Sequence, residues 1–244
     1  MRFLVPMAGF VGALVLVLGL ASVAPSASAQ TGSQAPPEAA GSGATAAPSR
    51  TAVPLPPPAA PGPAIIGFRS ARFGMTEAAV RAAIADDFRL PSSAVRRSQN
   101  PVDRTTILAV RVADLAPGTG RAVVSYVFGY RSHALIEVNI VWSKAGDPHL
   151  TPEQLTVIGA RLQAYFSAEG FPRARSAINV PLPDGLLLFR TIDAAGRAIA
   201  LVLSGSIKNE AKSGKRVLTP TALSLAYAVD AAHPDVFRLK KGSF

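Results

Sequence analysis

Few residues in this chain have the type and spacing that chemistry requires. The three histidines, His133, His149 and His233, lie far apart, and no two share metal-ligand spacing. No H-E-x-x-H motif and no G-x-S-x-G nucleophile elbow occurs. Asp86-Asp87 offers paired carboxylates for acid–base work, but the pair closes a predicted helix and reads as its solvated end. Gly118-Thr119-Gly120 is too short to cradle a phosphate, and Gly214-Lys215 lacks the upstream glycine of a P-loop. There is no cysteine, so disulfides, thiolate metal sites and lipid attachment through a cysteine are excluded. The residues point to no catalytic group, no metal and no cofactor.

The one concentrated feature is basic. The segment from Lys208 to Arg216 carries four positive residues and one negative. Lys208, Lys212, Lys215 and Arg216 are therefore the candidate contacts for an anionic partner. An ordinary exposed hairpin loop is the other reading. The chain as a whole holds 25 Lys+Arg against 15 Asp+Glu, a formal net charge of +10. Elsewhere its basic residues are scattered, as they are when charge only maintains solubility.

The N-terminal segment predicts where such a partner would be met. Arg2 is the only charge before Ala29, an apolar run follows from Phe3 to about Leu20, and Ala27-Ser28-Ala29 supplies a small-residue cleavage site. That order reads as a secretory signal over 1–29, with a periplasmic or secreted product. The stretch is also just long enough to span a bilayer, which takes about 20 residues, so a retained anchor is the alternative. Residues 30–64 are rich in Ala, Pro, Gly, Ser and Thr and lack aromatics. They read as a disordered linker, extended where proline is dense. In that compartment the expected partner is an envelope protein or an anionic envelope polymer or lipid, not nucleic acid.

From about Ile65 to Phe244 the periodicity is that of one α+β domain. A first helix is predicted from Thr76 to about Asp87, with Val80, Ala83, Ile84 and Phe88 on one face. A second runs from Thr151 to about Ala168. Thr151 caps it, Pro152 takes its first position and Gln154 completes a capping box. Its apolar stripe is Leu155, Ile158, Leu162, Tyr165 and Phe166. Period-two alternation marks strands around Leu108–Val112, Val124–Phe128, Ile136–Trp142, Leu186–Asp193, Arg197–Leu203 and Thr221–Val229. Glu137 and Asn139 point away from the apolar side of their strand.

The predicted order is a helix and three strands, twice over. Arg111-Val112-Ala113-Asp114 matches Arg190-Thr191-Ile192-Asp193, and Gly120-Arg121-Ala122-Val123 matches Gly196-Arg197-Ala198-Ile199. A tandem α-β-β-β repeat over 68–145 and 146–232 is therefore expected, as antiparallel sheets each with a helix on one face. The repeated carboxylates suit turn positions, and Arg121 and Arg197 are placed to pair with them across exposed hairpins. The approach to the first helix, Phe73-Gly74-Met75-Thr76 followed by Val80, together with the element order, resembles small bacterial envelope proteins. These are the small lipoprotein of the barrel-assembly machinery, whose lipidated cysteine is missing here, and the tandem-repeat β-lactamase-inhibitory proteins. The resemblance implies a non-catalytic binding module that uses an open sheet face or its loops. The alternative is an envelope hydrolase with carboxylates the sequence does not identify.

Overall fold

The local signals at the two helix starts work as their residue types dictate. In the computed structural model, which describes residues 62–209, 216–239 and 242, helix α1 spans Glu77–Phe88. The Thr76 hydroxyl accepts the Ala79 N–H at 3.3 Å, filling one of the four orphan donors of a helix start. Val80, Ala83 and Ile84 are buried, as predicted. Helix α2 spans Pro152–Ala168. Its capping box is complete: the Thr151 hydroxyl accepts the Gln154 N–H at 3.2 Å, and the Gln154 side chain accepts the Thr151 N–H at 2.8 Å. Leu155, Ile158, Gly159 and Phe166 are buried, whereas Tyr165, predicted on the same stripe, is 57 % exposed.

Asp87, at the C-terminal end of α1, has a job that offsets its poor fit to the helix dipole. Its carboxylate accepts the Ser70 N–H at 3.1 Å and the Ser70 hydroxyl at 2.7 Å. That ties α1 to a short hairpin of β1 (Gly67–Phe68) and β2 (Ala71–Arg72).

Eight further strands form one antiparallel sheet. They are β3 (Arg96–Gln99), β4 (Thr106–Val112), β5 (Ala122–Phe128), β6 (Leu135–Ser143), β7 (Ser176–Leu182), β8 (Gly185–Ile192), β9 (Ala198–Asn209) and β10 (Arg216–Ala228). Their order is β3-β4-β5-β6-β10-β9-β8-β7. The fold is α+β, but each helix precedes four strands instead of the expected three, and there is one main sheet. Strands β3 and β7 were not predicted. They form the two edges of the sheet, and β3 is exposed at every position, so neither carries the one-sided burial that marks an interior strand.

Residues paired across an antiparallel ladder point to the same face. Leu108, Tyr126 and Val138 therefore share a face with Leu223 and Leu225. Both helices cover that face. Arg97, opposite Leu108, bonds Glu77 of α1 at 3.0 Å, and Gly159 of α2 lies against Leu188 and Leu223. One hydrophobic core runs between helices and sheet, where each fully buried large side chain contributes roughly 1.5–3 kcal/mol. All described residues belong to one structural unit. Among them, no helix is long and apolar enough to cross a membrane. The expected signal and the linker through residue 61 lie outside the described residues.

After β10 the chain runs back across the strand ends. Tyr130 donates its N–H to the Asp235 carbonyl, and Phe237 donates its N–H to the Asp103 carbonyl, both at 2.9 Å. The Asp235 carboxylate accepts the Arg131 and Ser132 amides at 3.1 and 2.9 Å. It lies so close to Gly129 that a Cβ there would collide with it. Arg104 sits 3.8 Å from the Phe237 ring centroid, within cation–π range.

Candidate functional site

The register reads out the helix-free face row by row. One row runs Arg96, Ala109, Ser125, Asn139, Ala226, Ala200 and Arg190, from β3 to β8. The next runs Arg111, Val123, Val141, Ser224, Val202 and Leu187. A third runs Ile107, Val127, Glu137, Ala228, Ala198 and Ile192. The neighbouring strands β10 and β9 contribute only Ala, Ser and Val to these rows. This strip of the face is therefore a floor of short, uncharged side chains, bordered by Glu137, Asn139 and Val141 of β6. Positive charge lies on the flanking strands, with Arg96 and Arg111 toward one edge and Arg190 toward the other.

The basic segment extends this surface. The strands expected to stop at Leu203 and resume at Thr221 run on, β9 to Asn209 and β10 from Arg216. Residues 205–209 pair with 216–220 in five rungs, and no other strand pairs with them. The result is a two-stranded ribbon roughly 17 Å long at about 3.4 Å per residue. Its root is bent at a register shift between Pro220 and Ala222, a bulge position where a strand re-aims its side chains. Any side chain at Gly205 would strike the Thr219 carbonyl.

Of the four predicted contacts, Lys208 and Arg216 are exposed strand residues near the end of this ribbon. Alternation puts Lys208 on the helix-free side with Ser206 and Ser204, and Arg216 on the opposite side with Leu218. The structure does not bring these two onto one face. Lys212 and Lys215 lie outside the described residues.

Glu137 is the only carboxylate in the three rows. Burial pushes its carboxyl above the usual range and Asp103 adds to this, while a bond from the Asn139 amide, 2.7 Å away, works against both. It lines a cleft with Arg190, the alanines of the β9–β10 floor, and Asp230 and Pro234 of the returning chain. Asp230 is otherwise engaged, accepting the Ala232 and His233 amides at 3.0 and 2.8 Å.

The two repeated carboxylates differ from expectation and from each other. Asp193 pairs with Arg197 at 2.8 Å, but the carboxylate is 2 % exposed, so this is no exposed hairpin pair. It also accepts the Ile65 N–H at 3.0 Å. Asp114 does not meet Arg121. It accepts the Gly118 and Thr119 amides and the Thr119 hydroxyl, and the Arg121 N–H goes to Asp147 instead.

Sequence reasoning missed Arg96, Arg111, Arg190 and Glu137 as surface partners of one another. The available signal was the polar half of each alternation, which is Arg111, Ser125, Asn139, Ser224 and Arg190. Only strand pairing shows that these residues share one surface. Among the described residues no group of three His, Asp or Glu side chains is placed to hold a metal ion. No protein-family model, curated protein or solved structure matches this chain.

Proposed function

We propose that this protein is a non-catalytic binding module of the bacterial cell envelope. It presents the helix-free face of its sheet and the basic ribbon to an acidic envelope protein or an anionic envelope component. One observation carries this reading: a strip of Ala, Ser and Val on β9 and β10, flanked by Arg96, Arg111 and Arg190 and continued by Lys208. Short side chains let a partner approach the backbone closely, and the flanking cations attract and orient an anionic surface. Export by the 1–29 signal and reach through the 30–64 linker are parts of the same proposal.

We further propose that the domain arose as a tandem repeat. Its support is the palindromic strand order, in which the last strands of the two halves, β6 and β10, pair at the centre. Arg111 and Arg190, matched in sequence, both lie on the second strand of their half and face the helix-free side. Gly120 and Gly196, also matched, both adopt positive φ, 67° and 83°, a conformation that glycine takes without strain.

The test is in-cell cross-linking of the tagged protein followed by mass spectrometry. A reproducible envelope partner that is lost in the triple variant R96S/R111S/R190S supports the reading. Retention of the same partners by that variant refutes it, provided the variant is folded. Turnover of envelope polymer fragments by the purified protein would favour the hydrolase alternative, for which Glu137 is the first carboxylate to replace.

A further inference from the structure

Glu137 and Arg190 face one cleft from opposite walls, and among the described residues neither forms an ion pair. The register separates them by three strand spacings of about 4.8 Å, from β6 across β10 and β9 to β8, and by one row, two residues along the strands, or roughly 16 Å between backbones. Side chains on a sheet stand nearly perpendicular to it, so the two charged heads are held apart over the floor between them. That floor is formed by Ala198, Ala200, Ala226 and Ala228. The third charged group of the cleft, Asp230, binds the amides of its own turn through Oδ1 and has the His233 ring 3.7 Å from Oδ2.

A half-buried carboxylate and a guanidinium, held apart over methyl groups, leave two opposite charges short of partners. The complementary molecule carries a cation at one end, an anion at the other and a short neutral body between. We infer that this cleft binds a short zwitterionic peptide of about dipeptide size, with its α-ammonium on Glu137 and its carboxylate on Arg190. The Asn139 amide bonds one Glu137 oxygen and aims the carboxylate, leaving the other oxygen for the ammonium. Arg190 offers a forked pair of N–H donors that matches a carboxylate. The alanine floor accepts small side chains and leaves no depth for large ones. The cleft shares Arg190 and the alanine floor with the surface proposed above, and Glu137, which the triple variant leaves intact, separates the two readings.

The experiment is an amide NMR titration of the purified protein with di-alanine, compared with N-acetyl-di-alanine and di-alanine amide, each lacking one charge. Saturable shifts confined to residues near 137, 139, 190, 200 and 226 are expected for di-alanine. Each singly charged analogue should bind at least about tenfold more weakly, the loss of one charged contact worth about 1.4 kcal/mol. The variants E137Q and R190Q should weaken di-alanine by a similar factor. E137Q retains an oxygen for Asn139, so its fold is not at risk. No localised shift at tens of millimolar, equal binding of the acetylated analogue, or unchanged binding by folded E137Q would each overturn the inference.

Discussion

Replacing Asp193 by Asn removes a charge from the most heavily bonded carboxylate among the described residues. Its Oδ1 accepts the Ala195 and Arg197 amides at 2.8 and 3.0 Å. Its Oδ2 accepts the Ile65 amide at 3.0 Å and the Arg197 guanidinium at 2.8 Å. An asparagine keeps the first pair through its carbonyl. Its NH2 group then faces two donors where two bonds stood. Arg197, 25 % exposed, can turn to water. The amide of Ile65, a residue 3 % exposed, cannot, and a buried unsatisfied donor costs about 1–3 kcal/mol. With the lost charge-assisted bond, D193N should cost about 3 kcal/mol. Urea unfolding followed by the fluorescence of Trp142, the only tryptophan and 2 % exposed, reads this directly. D114N, its sequence counterpart in an exposed turn, should cost clearly less. A D193N loss below about 1 kcal/mol, or a D114N loss as large, refutes the reasoning. The pH dependence has a fixed sign. Burial pushes Asp193 up, but the bonds from Ile65, Arg197 and Ala195 outweigh it and hold the carboxyl below its usual range. Its stabilisation is therefore complete above the unfolded value of about 3.9, and is lost as pH falls through the lower folded value. The gap between the parent and D193N should be constant near neutrality and shrink below about pH 4.

Glu137 has the opposite sign, because burial raises its folded pKa. Ionising it costs the folded state, so stability falls as pH rises from about 4.3 through the folded value. E137Q should therefore have a higher urea midpoint than the parent at pH 7, with the gap closing below about pH 4. T151A removes the acceptor of the α2 capping box and should cost about 1 kcal/mol in the same assay. G129A forces a methyl group onto the Asp235 carboxylate. It should release the returning chain and speed limited proteolysis beyond Val229. The ribbon variant K208S/R216S alters only exposed side chains. Its stability should stay within about 0.5 kcal/mol of the parent, while partner capture at low salt weakens; unchanged capture would remove the ribbon from the binding surface.

Much of the local structure follows from residue types alone. Thr76 and Thr151-Pro152-x-Gln154 mark the helix starts because hydroxyl, ring and amide each answer a need of an unpaired helix end. Alternation in β4, β5 and β6 is legible because one side faces a core and the other does not. The β6 pattern slips at its start, where Leu135 and Ile136 are both buried beside a register shift. The edge strands β3 and β7 are silent, since an exposed edge has no apolar side to alternate. The ribbon was read as a loop for the same reason, as Lys208, Val217 and Thr219 are exposed strand residues.

The surface proposed for binding was decided by tertiary structure. Pairing of β6 with β10 joins strands some 80 residues apart in the chain. That long-range contact puts Arg96, Arg111 and Arg190 on one face and brings Glu137 and Arg190 to one cleft. Sequence alone determined that Glu137, Asn139 and Arg111 point away from an apolar side, because alternation is a property of each strand by itself. It did not determine which strands lie beside one another. Registry between distant strands depends on two separate segments burying their apolar sides against the same helices, and no single segment records that agreement.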